Sequence, residues 1–120
     1  MKMKLLVCMA CLAIMLFQSC DYNALPEPQT DSCDGAVSFS DDVQPIINRS
    51  CAISGCHNGD NGADKNWTVL ANLQAKKNTV KDRITRPVGT PGHMPAIPPE
   101  LTIVEIQQIV CWVDQGALDN

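Results

Sequence analysis

The sequence has no apolar run long enough to cross a bilayer. Its longest, residues 5–17, has 13 residues, where a spanning helix needs about 20. It has no cluster of basic residues beyond the pair Lys76–Lys77, which argues against nucleic-acid binding through charge. There is no second Cys pair and no HxxxH, so a zinc site lacks its ligand set. A thioredoxin-like dithiol is disfavoured too, because the one C-x-x-C, Cys8–Cys11, lies in the short apolar run near the N-terminus and the rest of the chain has neither C-x-x-C nor a βαβ pattern. Asp60–Asn61–Gly62–Ala63–Asp64 faintly suggests a calcium loop. The twelfth position from Asp60 is Ala71 and not Glu, so the EF-hand pattern fails and a plain turn is favoured.

The short apolar run follows Lys2 and Lys4. A charged start and an apolar stretch of this length fit a secretory signal. The run ends in Leu16–Phe17–Gln18–Ser19–Cys20. This resembles a lipobox, in which a cysteine is lipidated and becomes the new N-terminus, although Phe17 stands where Leu is usual. Residues 1–19 are therefore expected to be a lipoprotein signal and Cys20 the lipid site. Two or three acyl chains would hold the protein on a membrane, at about 0.8 kcal/mol per buried CH₂. Residues 20–32, with Pro26 and Pro28, read as a flexible tether. Losing Lys2 and Lys4 leaves 7 of the 9 basic residues against 13 acidic ones, a net of −6.

Residues 33–120 are expected to form one domain that is mostly helical. Phe39, Val43, Ile46 and Ile47 share one helical face, with Ser40 as the expected N-cap and an end near residues 49–51. Residues 58–66 form a Gly/Asn/Asp loop. Residues 67–86 hold one or two helices, with Val69, Leu70, Leu73, Val80 and Ile84 as apolar positions. Five prolines make residues 87–99 a stiff loop. Thr102 and Glu105 form a T-x-x-E capping box, Ile103, Ile106, Ile109, Val110 and Val113 recur at helical spacing, and Gly116 suits the stop.

Seven cysteines occur in the chain. Cys8 and Cys11 fall in the signal and Cys20 at the lipid site. Cys33, Cys51, Cys56 and Cys111 remain. In an oxidising compartment free thiols are uncommon in small domains. Four cysteines allow three disulfide pairings. A different partition also leaves no thiol over. Cys51 and Cys56 bind a cofactor, and Cys33 pairs with Cys111 across a loop of about 80 residues, worth about 4 kcal/mol in the loop-entropy model.

The cofactor is suggested by Cys51–Ala52–Ile53–Ser54–Gly55–Cys56–His57. C-x-x-C-H attaches c-type haem: each sulfur adds to a porphyrin vinyl group and the histidine ligates iron. Here the spacing is C-x4-C-H, but His57 keeps its place beside Cys56. A Cys51–Cys56 disulfide with a surface histidine is the competing reading. Met94, 37 residues after His57 and the one methionine after the signal, sits in the proline loop. A thioether is a soft ligand for haem iron and raises its potential. His93 is the other possible ligand. Arg83 and Arg86 are candidates for pairing with haem propionates, against plain exposure.

Phe39…Val43–Gln44–Pro45–Ile46…Cys51…Cys56–His57, then Met94–Pro95, then Leu101…Ile106…Ile109…Cys111–Trp112–Val113–Asp114–Gln115–Gly116–Ala117, in this order, resemble small monohaem cytochrome c-like domains. The resemblance covers roughly residues 33–117. It implies an all-α cytochrome c-like fold, of about three to five helices with long loops around one covalently bound haem, the Phe39 and Trp112 helices crossing near it. It implies one haem c held by Cys51 and Cys56, with His57 as proximal and Met94 as distal iron ligand, and it supports a Cys33–Cys111 disulfide. It further implies an electron carrier and not an enzyme, exported to the periplasmic or cell-surface side of a Gram-negative membrane, lipid-anchored, and serving a redox partner protein. A non-haem lipoprotein with two disulfides, acting as a binding or structural module, is the rival from another class. An enzyme or gas sensor with a displaceable Met94 is the third. The chain departs from the family in its x4 spacing. It also lacks a proline between His57 and Pro87, whose carbonyl would orient the ligating histidine.

Overall fold

The structure is a computed structural model that describes residues 33–120. The expected signal, the lipid site Cys20 and the tether lie outside the described residues. Among the described residues there are three α-helices and no strand: α1 (Gln44–Ser50), α2 (Leu70–Ile84) and α3 (Ile103–Asp114). No helix among them is long and apolar enough to cross a membrane. The architecture is therefore all-α.

A wide turn over Phe39–Val43, with i→i−5 hydrogen bonds, leads into α1. Its cap is Ser38, not the expected Ser40. The Ser38 hydroxyl accepts from Asp41 N, and the Asp42 carboxylate accepts from Ser38 N at 2.9 Å. Both acids also suit the positive end of the helix dipole. Ser40 is drawn off to the chain's other end, where its N–H and hydroxyl both donate to Asn120 O. Pro45 lies in the first turn of α1, where a missing N–H does no harm. The face expected from the sequence is buried, with Phe39, Val43, Ile46 and Ile47 all in the core.

A single helix, α2, begins after Trp67 and buries Leu73, Val80 and Ile84. The start of α3 carries the capping box in full: Thr102 Oγ1 accepts from Glu105 N, and the Glu105 carboxylate accepts from Thr102 N. Ile109 to Val113 are buried without a break, because α3 packs against both α2 and the Phe39–Val43 turn. Gly116, at φ +103°, takes the left-handed backbone that ends the helix. The Trp112 indole N–H then donates to Leu118 O at 2.9 Å.

Trp112 meets Phe39 with ring centroids 5.6 Å apart. The expected Cys33–Cys111 disulfide is formed, with a Cα–Cα distance of 5.4 Å. Asn120 Oδ1 accepts from Phe39 N, and the Gln115 side chain bridges Val37 N and Gly35 O. The two ends of the domain are thus laced to one another. Arg49–Glu105 and Lys81–Asp114 ion pairs join α1 and α2 to α3. Being partly exposed, each is worth less than about 1 kcal/mol.

Candidate functional site

A cavity of about 560 Å³ has a lining that shares no residue with this lacing. Its size falls within the roughly 300–1,000 Å³ usual for cofactor and small-molecule sites. The end of α1 and the following turn contribute Cys51, Ile53, Cys56 and His57; α2 contributes Val80, Arg83 and Ile84; the proline loop contributes Met94, Pro95 and Ile97. The lining is mostly apolar, and the cations Lys65 and Arg83 reach it. Four residues singled out from the sequence, Cys51, Cys56, His57 and Met94, therefore share one cavity. Cys33 and Cys111 do not. They line a separate, smaller hollow of about 250 Å³.

Cys51 and Cys56 are free thiols. Burial pushes the Cys51 thiol up to about 11, helped by the neighbouring Cys56 and opposed by Arg49. Cys51 therefore stays a protonated, weakly reactive thiol at neutral pH. The turn between the two cysteines is closed by Cys56 N donating to Ile53 O, and His57 N donates to Cys51 O.

The His57 ring stacks on Trp67, with centroids 3.5 Å apart and planes within 8°. The backbone holds this pair together, because Trp67 N donates to His57 O at 2.9 Å beside an Asn58–Asn66 bridge. Burial, and secondarily the charge of Lys65, moves the imidazole below its ordinary range, which favours the neutral, ligating form. Nδ1 of His57 is buried with no hydrogen-bond partner. Among the described residues it is the one buried side-chain polar atom so placed. Buried polar groups are normally paired, so this nitrogen marks the site as built for something more than protein. The carbonyl expected to orient His57 is not supplied. A ring stack does that work instead.

Met94 is held by the end of α2. Its N–H donates to Arg83 O at 3.2 Å, Arg83 Nη1 donates to Gly92 O, and Arg86 Nη1 donates to Pro91 O. Arg86 is further paired with Asp82 at 2.6 Å and does not line the cavity. Of the two arginines considered for haem propionates, only Arg83 faces the site. His93 is engaged on both ring nitrogens, Nδ1 by Arg86 O at 2.7 Å and Nε2 by the Glu100 carboxylate at 3.0 Å. It does not line the cavity, and it serves as a fastener of the loop, not as a ligand.

The loop after His57 is a plain turn, as its composition implies. The Asp60 carboxylate accepts from Ser54, Gly55 and Asn58. Among the described residues no three His, Cys, Asp or Glu side chains converge to hold a metal ion. The donor types fit a covalently held haem: two thiols, one imidazole and one thioether around an apolar space. Sequence reasoning missed Lys65 as a cation at the site and the Trp67 stack. From the sequence Trp67 reads as a core or haem-packing aromatic, and its place flat on His57 is what the structure adds. Compared with family models, with curated proteins and with solved structures, the chain matches none.

Proposed function

We propose that this chain is a one-electron carrier holding a single haem c through thioethers at Cys51 and Cys56, with His57 and Met94 as axial iron ligands. One observation carries the reading. Residues 37 positions apart in sequence, the attachment motif and the lone methionine of the domain, line the same apolar cavity. Bound there, haem supplies a reversible Fe(III)/Fe(II) couple. The chain's part is to orient and to exclude water. Trp67 holds the imidazole plane, the α2 carbonyl of Arg83 holds Met94, and Val80, Ile84 and Pro95 keep the cavity apolar. Met94 ligation sets a higher potential than two histidines would. Arg83 is the cation placed to meet a propionate.

Two protein ligands leave iron no open position, so the role is electron transfer to a partner protein and not catalysis. The chain works lipid-anchored at Cys20, on the periplasmic or cell-surface side of a Gram-negative membrane. The rival non-haem module needs a Cys51–Cys56 disulfide, whereas both cysteines are free thiols.

The test is to express the chain with haem-attachment machinery and denature it. Haem-linked peroxidase staining and the added mass of one haem are expected. An unmodified mass would overturn the proposal. Met94→Ala should abolish the long-wavelength absorption band of the oxidised iron–thioether bond and lower the potential, with attachment unchanged.

A further inference from the structure

The C-x4-C-H motif has two more linker residues than C-x-x-C-H, and they must go somewhere without moving the thiols apart. The i→i+3 turn that ends with Cys56 N donating to Ile53 O, 3.0 Å, includes Gly55 at φ +77°, a conformation that favours glycine. A Cβ at Gly55 would meet nothing within 4 Å, so the requirement here is backbone conformation and not space. Outside this turn, one oxygen of Asp60 accepts three hydrogen bonds: from Asn58 Nδ2 at 2.8 Å, from Gly55 N at 3.2 Å and from Ser54 Oγ at 3.2 Å. Asn61 Nδ2 donates to Gly55 O at 2.9 Å. Both backbone groups of Gly55 are therefore held by the neighbouring pair Asp60–Asn61.

We propose that Asp60, with Asn61, is the positioning device of the longer motif, folding residues 53–55 into a bulge so that Cys51 and Cys56 reach the same cavity. The inference rests on the haem reading for its purpose and on the turn itself for its geometry. These hydrogen bonds, Asn58 first, hold the Asp60 carboxyl below its ordinary range, as expected of an acceptor of several donors. Asp60 is exposed and belongs to no part of the core, so its replacement tests the bulge without disturbing the helices.

Asp60→Ala removes the acceptor. Asp60→Asn keeps an oxygen acceptor at the same place without the charge. Two readouts are used. In the chain expressed without attachment machinery, phenylarsine oxide, which bridges two thiols, reports their spacing, with Cys51→Ser as the baseline. In the haem-loaded chain, the pyridine haemochrome band moves to longer wavelength when one vinyl group has stayed unreacted. Asp60→Ala should bind the arsenical about tenfold more weakly, on the scale of hydrogen bonds lost from an exposed turn. It should also raise the share of single-thioether product, while Asp60→Asn stays within about twofold of wild type. Equal behaviour of Asp60→Ala and wild type in both readouts would overturn the proposal. So would an Asp60→Asn chain as impaired as Asp60→Ala, because charge and not the bulge would then be at work. Should Asp60→Ala fail to fold with its Cys33–Cys111 disulfide intact, the Ser54→Ala/Asn58→Ala pair removes two of the three donors and is read the same way. A wild-type chain that takes no haem, yet shows the arsenical difference, would remove the haem reading and leave the positioning role standing.

Discussion

The two sides of this small domain are finished to different degrees. On the side of the Phe39–Trp112 contact, every strong requirement is met by protein. The disulfide closes Cys33 onto Cys111, Asn120 and Gln115 satisfy the early backbone, and the Trp112 indole has its acceptor. On the cavity side, two thiols are free, an imidazole nitrogen is buried without a partner, and an apolar space is left between α2 and the proline loop. A domain of 88 described residues has little core to spare. The closed side must therefore carry the fold, and the open side is where a ligand would complete it. In this fold the groups left unpaired by protein gather on one side, because the remainder is needed for stability.

Four measurements press on that contrast. Trp112→Ala should cost about 3–5 kcal/mol, as for a fully buried aromatic, and denaturant melting of the chain without haem should show it nearly unfolded. A loss under about 1 kcal/mol would mean that the closed side does not carry the fold. Removing the disulfide with Cys33→Ala/Cys111→Ala should cost about 2–4 kcal/mol, since 78 positions separate the cysteines. The same melts report it.

The third concerns the open side. The folded Cys51 thiol titrates near 11 against an ordinary value of 9.0. The folded state thus holds its proton longer than the unfolded one. Stability of the haem-free chain is unchanged below pH 9 and falls as pH rises through 9 to 11, by on the order of 2–3 kcal/mol. Comparison with Cys51→Ala, whose melts should lack that alkaline slope, isolates the thiol. On the proposed reading, haem attachment would convert the thiol to a thioether and abolish the slope as well. The smallest effect is expected of Thr102→Ala, about 1 kcal/mol from a lost N-cap, with no change in the absorption of the loaded protein. A changed spectrum would show that α3 reaches the site, which the contrast denies.

Much of the fold was legible because its signals are local. The capping box at Thr102 and Glu105, the buried face of Phe39, Val43, Ile46 and Ile47, and the helix stop at Gly116 each depend on neighbours within a turn or two. The cap is Ser38 and not Ser40: both are serines ahead of two acids and both hydroxyls reach Asn120 O, but only Ser38 exchanges hydrogen bonds with Asp41 N and the Asp42 carboxylate, because the wide turn starts two residues earlier. In the site, Cys51, Cys56, His57 and Met94 were legible from their chemistry. The fates of His93, Arg83 and Arg86 were not. Three side chains of similar promise were sorted by which loop carbonyl or carboxylate stood near each.

The local facts were in the sequence: where the last helix begins and stops, which faces are apolar, and that a histidine adjoins the second of two cysteines. Those follow from spacings of a few residues, where the backbone leaves little choice. Only the tertiary structure decided that Met94 lies in the cavity of Cys51 and Cys56, that Trp67 lies flat on His57, and that Nδ1 of His57 is left without a partner. These depend on how α2 and the proline loop pack against the Cys51–His57 turn. Packing is settled by the whole core at once and not by any short stretch of chain.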